Sequence, residues 1–265
     1  MRAARLSAWR APLEVGDAPD SAPPPGGVVL RVLACGICRS DWHVRTGADP
    51  DVTLPQTPGH EFCGEVVAVG PGVTRWRAGD RAALTPGEWL AVWGAGGVGL
   101  SALILARAMG ARVVMVDVVT GKLAHARAQG AEAVVNAAEG DPVAAVREIT
   151  GGGAHVALGV VETTANALRS LRKLGRMVQV AMPAGAHATM TLPWDAVCSG
   201  QLAVYGARGM PGHRFPALFS LIAARGVDLS PLIARRVALS DVTADLARFD
   251  GPAPPGVAVI TDFAA

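Results

Sequence analysis

The chain has 265 residues, of which 51% are hydrophobic and 17% charged, with a formal net charge of +2. This composition excludes a largely disordered chain and offers no electrostatic case for nucleic-acid binding. The length suits one large or two ordinary domains. The sequence contains no apolar run long enough to span a membrane, and its first residues are not expected to act as a signal peptide. Four cysteines are too few for a disulfide framework here, so we expect a cytoplasmic protein with reduced thiols.

The first 85 residues are predicted to be rich in β-structure. Two β-branched runs cover 28–34 and 64–70, and clusters of Gly and Pro separate them from the rest of the chain. This spacing is typical of a small barrel or sandwich.

From Glu88 onward the pattern changes to alternating strands and helices. Strands are predicted at 90–93, 112–117, 133–135, 156–161, 177–180 and 202–205, and helices at 98–109, 123–129, 143–149 and 165–174. This alternation predicts an α/β domain over 86–208 with a doubly wound parallel sheet, the Rossmann arrangement. Residues 209–265 are predicted to contain helices at 216–225 and 242–249 and a strand at 257–261.

A GxGxxG motif lies between the strand at 90–93 and the helix that follows it. Its first glycine permits a tight turn, the second lets the backbone approach a pyrophosphate, and the third lets the helix pack on the strand. The helix N-terminus adds unpaired N–H groups and positive potential for phosphates. The residues expected to bind a dinucleotide here are Gly94, Gly96, Gly97, Val98 and Gly99.

An acidic residue supports this interpretation. Asp117 lies eighteen residues after Gly99, at the end of the next predicted strand. A carboxylate there can accept hydrogen bonds from both ribose hydroxyls, and its charge would repel a 2′-phosphate. The motif therefore predicts NAD rather than NADP. The alternative, a glycine turn beside an unrelated surface Asp, requires the strand, helix and acid to be in register by chance.

A second set of chemically active residues lies in the β-rich part. Cys38 and Asp41 are close in sequence, and His60 and Glu61 follow about twenty residues later. Cys, His and Glu are all zinc ligands. A lone Cys and His at this spacing are more often unrelated, but here they accompany a dinucleotide motif.

Taken together, these stretches resemble the zinc-dependent alcohol dehydrogenases of the medium-chain dehydrogenase/reductase family. The matching stretches are GICRSDWH (36–43), PGHEFCGEVVAVG (58–70), RAGDR (77–81), EWLAVWGAGGVGLSA (88–102), ARVVMVDVVTGKLAHARAQGA (111–131), LRKLGRMVQVAMP (171–183) and the tail from FPALFSLIAARG to VITDF. The resemblance implies a reduced GroES-like β domain built from 1–85 and 209–265, with the nucleotide domain 86–208 inserted. It also implies oxidation of an alcohol by NAD, or reduction of an aldehyde or ketone.

The resemblance also implies individual roles. It makes Cys38 and His60 catalytic-zinc ligands, Glu61 an acid that approaches the metal, and Asp41 the carboxylate that orients the histidine ligand. The resemblance extends to the proton path and the cofactor. It makes Ser40 the hydroxyl that takes the alcohol proton, His43 the group that passes it to solvent, Arg39 a partner of the pyrophosphate, and Lys122 a contact of the adenosine ribose.

The chain departs from the family between the GDR turn at 79–81 and Gly87, which are only five residues apart. In the family a segment as large as a small domain lies there and carries the structural-zinc lobe, much of the substrate pocket and the third catalytic-zinc ligand. Two alternatives to an active dehydrogenase follow. The chain could be an NAD-binding remnant that acts as an interaction module, or a redox-neutral enzyme.

The shortened segment leaves the metal site open to three interpretations, with at most one zinc in each. Glu61 can act as the third ligand beside Cys38 and His60. A closed site of Cys35, Cys38, His60 and Cys63 is disfavoured, because residues 60 and 63 of an extended strand point to opposite faces. The third interpretation is that no metal binds tightly. Cys198 is assigned to packing, His125 to a predicted helix, and the histidines at 155, 187 and 213 to the neighbourhood of turns.

The expected partners are a small alcohol or aldehyde and further copies of this chain. The missing strands should leave an unpaired sheet edge near 81–87, which invites pairing with another chain. The strand at 202–205 also resembles the family's subunit-contact strand. We therefore expect a homo-oligomer, with neither a nucleic acid nor a membrane as partner.

Overall fold

The computed structural model describes residues 1–25, 28–49, 52–69, 84–159, 161–180, 189–207, 209, 212–250 and 256–263. The chain divides into two compact units, Met1–Trp76 with Leu232–Ala265, and Arg77–Pro231. The GDR turn at 79–81 and His187 fall outside the described residues.

The described chain contains twelve strands and eight α-helices. The strands are β1 (Arg2–Arg5), β2 (Glu14–Asp17), β3 (Val28–Ile37), β4 (Glu61–Val69), β5 (Trp89–Trp93), β6 (Arg112–Asp117), β7 (Ala133–Asn136), β8 (Ala154–Gly159), β9 (Leu171–Gln179), β10 (Ala203–Gly206), β11 (Ile233–Ala238) and β12 (Val257–Asp262). The helices are α1 (Arg39–Thr46), α2 (Gly97–Ala108), α3 (Thr120–Ala128), α4 (Pro142–Ile149), α5 (Thr164–Arg169), α6 (Trp194–Gly200), α7 (Phe215–Arg225) and α8 (Val242–Ala247). None of these helices combines the length and apolar character needed to cross a membrane.

The first unit contains a four-stranded sheet in the order β11-β12-β3-β4 and a separate antiparallel pair, β1-β2. β3 runs antiparallel to both of its neighbours. The two predicted β-branched runs form β3 and β4, and the predicted closing strand is β12. A buried cluster that includes Leu6, Ile37, Leu246 and Ile260 packs between these elements.

Helix α1 and strand β11 were not predicted. α1 begins at Cys38 with a reciprocal capping box. The Cys38 side chain accepts a hydrogen bond from the backbone N–H of Asp41, and the Asp41 carboxylate accepts one from the backbone N–H of Cys38. It ends at Gly47, whose φ of 75° is the left-handed conformation that glycine adopts easily. Because cysteine is not among the usual N-cap residues, the sequence does not signal this start.

The second unit is built on a six-stranded parallel sheet in the order β10-β9-β8-β5-β6-β7. The chain order reverses between β5 and β8, which confirms the predicted doubly wound fold. β5 is fully buried, and Trp89, Ala91 and Trp93 pack on one face in a core shared with α4, α5 and α6. Nucleotides bind outside the carboxyl ends of such strands, at the point where the order reverses.

One predicted helix in this unit is wrong in its second half. The helix expected over 165–174 stops at Arg169, and Leu171 already lies in β9. Buried Ser170 donates its hydroxyl to the Ala167 carbonyl, and its own carbonyl accepts from the Ala154 N–H of β8. Pairing with the sheet therefore overrides the helical spacing of the leucines. Helix α6 was also not predicted.

The described part of the expected open sheet edge, residues 84–87, contains no strand. The Gly87 N–H donates to the Gly110 carbonyl at 2.8 Å. The outer strands of the two larger described sheets are instead β4, β11, β7 and β10.

Candidate metal and cofactor sites

The first turn of α1 brings Cys38 and Asp41 together. The Cys38 N–H donates to Asp41 Oδ2 at 2.9 Å, and the Ser40 N–H donates to Cys38 Sγ at 3.3 Å. The first turn of α1 therefore holds the Cys38 thiol at the start of the helix and the Asp41 carboxylate next to it.

Asp41 links this turn to a distant part of the chain. It is only 3% exposed, and its Oδ1 accepts from the Gly59 N–H at 3.1 Å and lies 3.2 Å from His60 Nδ1. Because Nδ1 donates its proton to Asp41, the other ring nitrogen, Nε2, faces Cys38 Sγ at 3.3 Å. The carboxylate therefore selects which His60 nitrogen faces the thiol.

These residues fit a zinc ion. Among the described side chains, the ligand atoms of Cys38, Asp41 and His60 lie within 4.8 Å of one another. Tetrahedral zinc with ordinary Zn–S and Zn–N bonds places sulfur and nitrogen roughly 3.5 Å apart. The observed separation of Cys38 Sγ and His60 Nε2 needs little change to reach that value. Asp41 is already engaged by His60 and two backbone N–H groups, which suits an orienting carboxylate better than a ligand.

His60 is strongly basic in this arrangement. Its hydrogen bonds to Asp41 and then to Cys38 raise the pKa of the ring to about 11, against the opposing effect of burial. The metal-free imidazole therefore carries two protons at neutral pH, and binding of a metal at Nε2 must release one of them.

Glu61 is not part of this group. It begins β4 opposite Gly36, and its carboxylate lies so close to Gly36 that a Cβ there would be 2.7 Å from Oε2. Successive residues of an extended chain point to opposite sides, so the Glu61 side chain diverges from that of His60.

The closed four-ligand set is also not assembled by the described side chains. Cys35 packs against the core of the first unit, and burial is the main cause that raises the pKa of its thiol to about 11. Among the described ligand atoms, those that lie together belong to Cys38, Asp41 and His60, and the Cys35 sulfur is not one of them. The Cys63 side chain lies outside the described part of the structure.

The predicted proton path and pyrophosphate partner lie on α1. Ser40 is exposed in the first turn, and the partly buried His43 follows one turn later, edge-on to Trp42 with ring centres 5.2 Å apart. The Arg39 guanidinium stacks over Trp42 at 4.7 Å and donates to the Phe249 carbonyl oxygen. In this structure Arg39 is thus engaged within its own unit.

The glycine motif of the second unit has the expected geometry. Gly94 follows β5 with a φ of 113°, and α2 begins at Gly97 with Gly96 as its N-cap. A Cβ on Gly99 would lie 1.9 Å from the Gly94 carbonyl oxygen, whereas a Cβ on Gly96 would meet nothing within 4 Å. Gly99 is thus required for packing, and the space beside Gly96 is open to a ligand.

Three other predicted cofactor residues lie at the same edge of the sheet. Val98 is 54% exposed in the first turn of α2, although it is apolar. Asp117 ends β6 and accepts backbone hydrogen bonds from Ala95 and Val119. Lys122 lies in the first turn of α3 and is half-buried.

Three residues have surroundings that the sequence did not predict. His155 was expected near a turn but lies in β8, where its Nδ1 accepts from the Trp89 N–H at 3.0 Å and burial lowers the pKa of its ring. Cys198 was expected to pack but is exposed on α6, a helix that the sequence did not reveal. Sequence reasoning also missed Gly59, whose N–H supports Asp41; its only signal is a φ of 113°, which requires the fold to be known.

Two family models match the chain. A GroES-like domain of alcohol dehydrogenases covers residues 24–99, and a zinc-binding dehydrogenase model covers residues 97–224. Together the two models span residues 24–224, so the chain is an alcohol dehydrogenase-like protein of the zinc-dependent, medium-chain dehydrogenase/reductase type, which confirms the resemblance.

Curated relatives and solved structures agree with this assignment. An alcohol dehydrogenase of Geobacillus stearothermophilus is 27% identical over 263 residues, covering 69% of this chain and 78% of the relative. An NAD-dependent alcohol dehydrogenase of Sulfurisphaera tokodaii is 29% identical over 238 residues, covering 57% and 69%. Benzyl alcohol dehydrogenase of Acinetobacter calcoaceticus shares the fold with a TM-score of 0.84, at 23% identity and 99% coverage of both chains.

The two glycines should respond differently to an added methyl group. Gly99→Ala should destabilise the protein by about 2 kcal/mol or more, because its Cβ would overlap the Gly94 carbonyl. Gly96→Ala should unfold like the wild type but bind NADH at least about tenfold more weakly, because its methyl occupies the space for the pyrophosphate. Thermal unfolding and NADH fluorescence titration measure the two effects. Wild-type NADH affinity in Gly96→Ala would contradict the site.

Zinc affinity should depend on Asp41. Asp41→Asn removes the charge that orients and polarises His60, so it should weaken zinc binding by about 10- to 100-fold. Asp250→Asn is the matched control, because Asp250 also contacts α1, through the Trp42 indole N–H at 2.8 Å and through Arg45, rather than through His60 or the thiol. Competition with a chromophoric chelator measures both affinities. Equal losses in the two variants would show that Asp41 has no specific role.

Proposed function

We propose that the chain is an NAD-dependent alcohol dehydrogenase that oxidises small alcohols and reduces the corresponding aldehydes or ketones. The observation that carries this proposal is the Cys38–His60–Asp41 arrangement, in which a thiol sulfur and an oriented imidazole nitrogen lie 3.3 Å apart. Membership of the family and a relative named NAD-dependent alcohol dehydrogenase support the same reaction.

Cys38 Sγ and His60 Nε2 are the atoms that would hold the zinc. When bound, zinc supplies Lewis-acid polarisation of the alcohol or carbonyl oxygen. Asp41 keeps the His60 ring in the orientation and tautomer that a metal requires. Glu61 stays the predicted third ligand, a role that requires its carboxylate to leave Gly36.

Ser40 and His43 are proposed to move the proton. They lie three residues apart on α1, a spacing that places two side chains on the same face of a helix. Ser40 lies two residues after Cys38, donates its N–H to the Cys38 sulfur and is exposed, so its hydroxyl can take the alcohol proton and His43 can pass it to solvent.

The second unit would supply the cofactor site. The open space beside Gly96 suits a pyrophosphate, and the Asp117 carboxylate suits the two hydroxyls of an unphosphorylated ribose. Arg39 and Lys122 are proposed to contact the pyrophosphate and the adenosine ribose. NAD supplies the hydride acceptor, and the protein supplies its binding and orientation.

The shortened chain bears on how well this reaction proceeds. The alignment with the Geobacillus stearothermophilus enzyme spans 263 residues but uses only 69% of this chain, so the relative contains residues without a counterpart here. A metal site with fewer protein ligands binds zinc less tightly, and water that reaches it weakens local electrostatic interactions. We therefore infer slow, permissive turnover.

The activity should depend on both zinc and Ser40. NADH absorbance over a panel of small alcohols should show slow turnover that rises with added zinc and disappears with a chelator. Ser40→Ala should lower the rate by about a hundredfold or more, because a proton-transfer group is lost, while NAD affinity stays the same. Ser220→Ala, a matched change on the exposed helix α7, should leave the rate unchanged.

Two results would contradict this proposal, each in a different way. If NAD binds but nothing turns over at any zinc concentration, the chain is an NAD-binding module without dehydrogenase chemistry. If turnover is indifferent to chelator and to Cys38→Ala and His60→Ala, the chain is an oxidoreductase that does not use this metal site.

We further propose that the chain forms a homo-oligomer through β10. This strand is the outer member of the six-stranded sheet, and its Val204 is 41% exposed. An exposed apolar edge strand readily pairs with another chain. Val204→Lys should convert a dimer into a monomer in light scattering, whereas Ile149→Lys, a matched change elsewhere on the surface, should not. A wild-type monomer at working concentration would refute the proposal.

A further inference from the structure

The Asp117 carboxylate contacts the glycine loop itself. Its Oδ2 accepts a hydrogen bond from the Ala95 N–H at 2.7 Å, and its Oδ1 accepts one from the Val119 N–H at 2.9 Å. Ala95 is the second residue of the GxGxxG loop and is fully buried. The acid at the end of β6 is therefore bonded to the loop that lies between β5 and α2.

The loop itself contains few side chains that could hold its shape. Gly94, Gly96, Gly97 and Gly99 have no side chains, and the N-cap of α2 makes no side-chain hydrogen bond. Glycine backbones have unusual conformational freedom, so an open form of the loop is entropically favoured. Two contacts to β6 oppose that freedom, namely the Gly94 N–H to the Val116 carbonyl at 2.8 Å and the Ala95 N–H to Asp117.

These two hydrogen bonds leave some acceptor positions of the Asp117 carboxylate unused. A carboxylate has about four acceptor positions, two on each oxygen. Each Asp117 oxygen uses one position for a backbone N–H and keeps one more. The same side chain can therefore support the loop and accept both hydroxyls of a ribose.

We propose that Asp117 is a positioning residue for the pyrophosphate loop as well as a ribose ligand. By fixing Ala95, it holds the following N–H groups at the start of α2 in the orientation that a pyrophosphate needs. This inference rests on the proposed NAD function. The dual role affects cofactor specificity. Replacing Asp117 to admit a 2′-phosphate would also weaken binding of the pyrophosphate, which NAD and NADP share.

Two nucleotides separate the two roles of Asp117. ADP offers both ribose hydroxyls, whereas 2′,3′-dideoxy-ADP offers none and keeps the pyrophosphate. If Asp117 only binds ribose, Asp117→Ala leaves the affinity for dideoxy-ADP unchanged. If it also positions the loop, the affinity of the full-length protein for dideoxy-ADP falls by about fivefold, the usual effect of losing one such hydrogen bond. Isothermal titration calorimetry measures both ligands.

Matched variants and a ligand-free readout complete the test. Glu139→Ala removes a carboxylate near the carboxyl end of β7 that bonds Asn136 rather than the loop, so it should leave dideoxy-ADP binding unchanged. Asp117→Asn keeps one acceptor and the side-chain volume, and should lie between wild type and Asp117→Ala. Amide hydrogen exchange of Ala95 in the nucleotide-free protein should be at least about fivefold faster in Asp117→Ala.

The outcomes are distinguishable. Unchanged dideoxy-ADP affinity, or unchanged exchange at Ala95, overturns the positioning role while leaving NAD binding intact. Failure of wild-type protein to bind ADP overturns the proposed NAD function, whereas the exchange rate of Ala95 still reports whether Asp117 holds the loop.

Discussion

The buried carboxylate of Asp41 is the constraint on which the metal site depends. A carboxylate that is 3% exposed is costly unless its lone pairs are used, and here two backbone N–H groups and the His60 ring use them. These hydrogen bonds to Asp41 hold the start of α1 next to the residues that precede β4. The position of the Cys38 thiol opposite His60 Nε2 follows from it, since both residues are fixed through the same carboxylate.

The second unit uses the same physical device with a different result. Asp117, like Asp41, accepts hydrogen bonds from two backbone N–H groups of separate segments. Asp41 orders a side chain that can hold a metal, whereas Asp117 orders a backbone loop that can hold a phosphate. In each case a short acidic side chain fixes polar groups that the surrounding strands alone leave free to reorient.

The relative from Geobacillus stearothermophilus contains residues without a counterpart in this chain, and the resemblance predicts that they precede Gly87. The residues proposed for metal binding and proton transfer lie before the shortening, at 38–43 and 60–61, and the cofactor loop follows it, so both local arrangements persist. The contacts that shape them are short in range or internal to one unit, which explains why they do not need the absent residues. Substrate selection is a different matter, because the resemblance implies that this segment shapes much of the substrate pocket.

The sequence by itself determined the order of the six strands in the nucleotide domain, the glycine loop and the chemical types at 38, 41, 60 and 117. These follow from local patterns, namely short continuous apolar runs, as in fully buried β5, and glycines at positions that only glycine can occupy, as at Gly99. Tertiary structure alone decided where the chain leaves α5 for β9, because Ser170 joins β8 against its helical pattern. Tertiary structure also separated the side chains of Glu61 and His60, which are adjacent in sequence and are both zinc-ligand types. Their divergence follows from the opposite directions of successive side chains and from the position of Glu61 beside Gly36, which is fixed only when β3 and β4 pair.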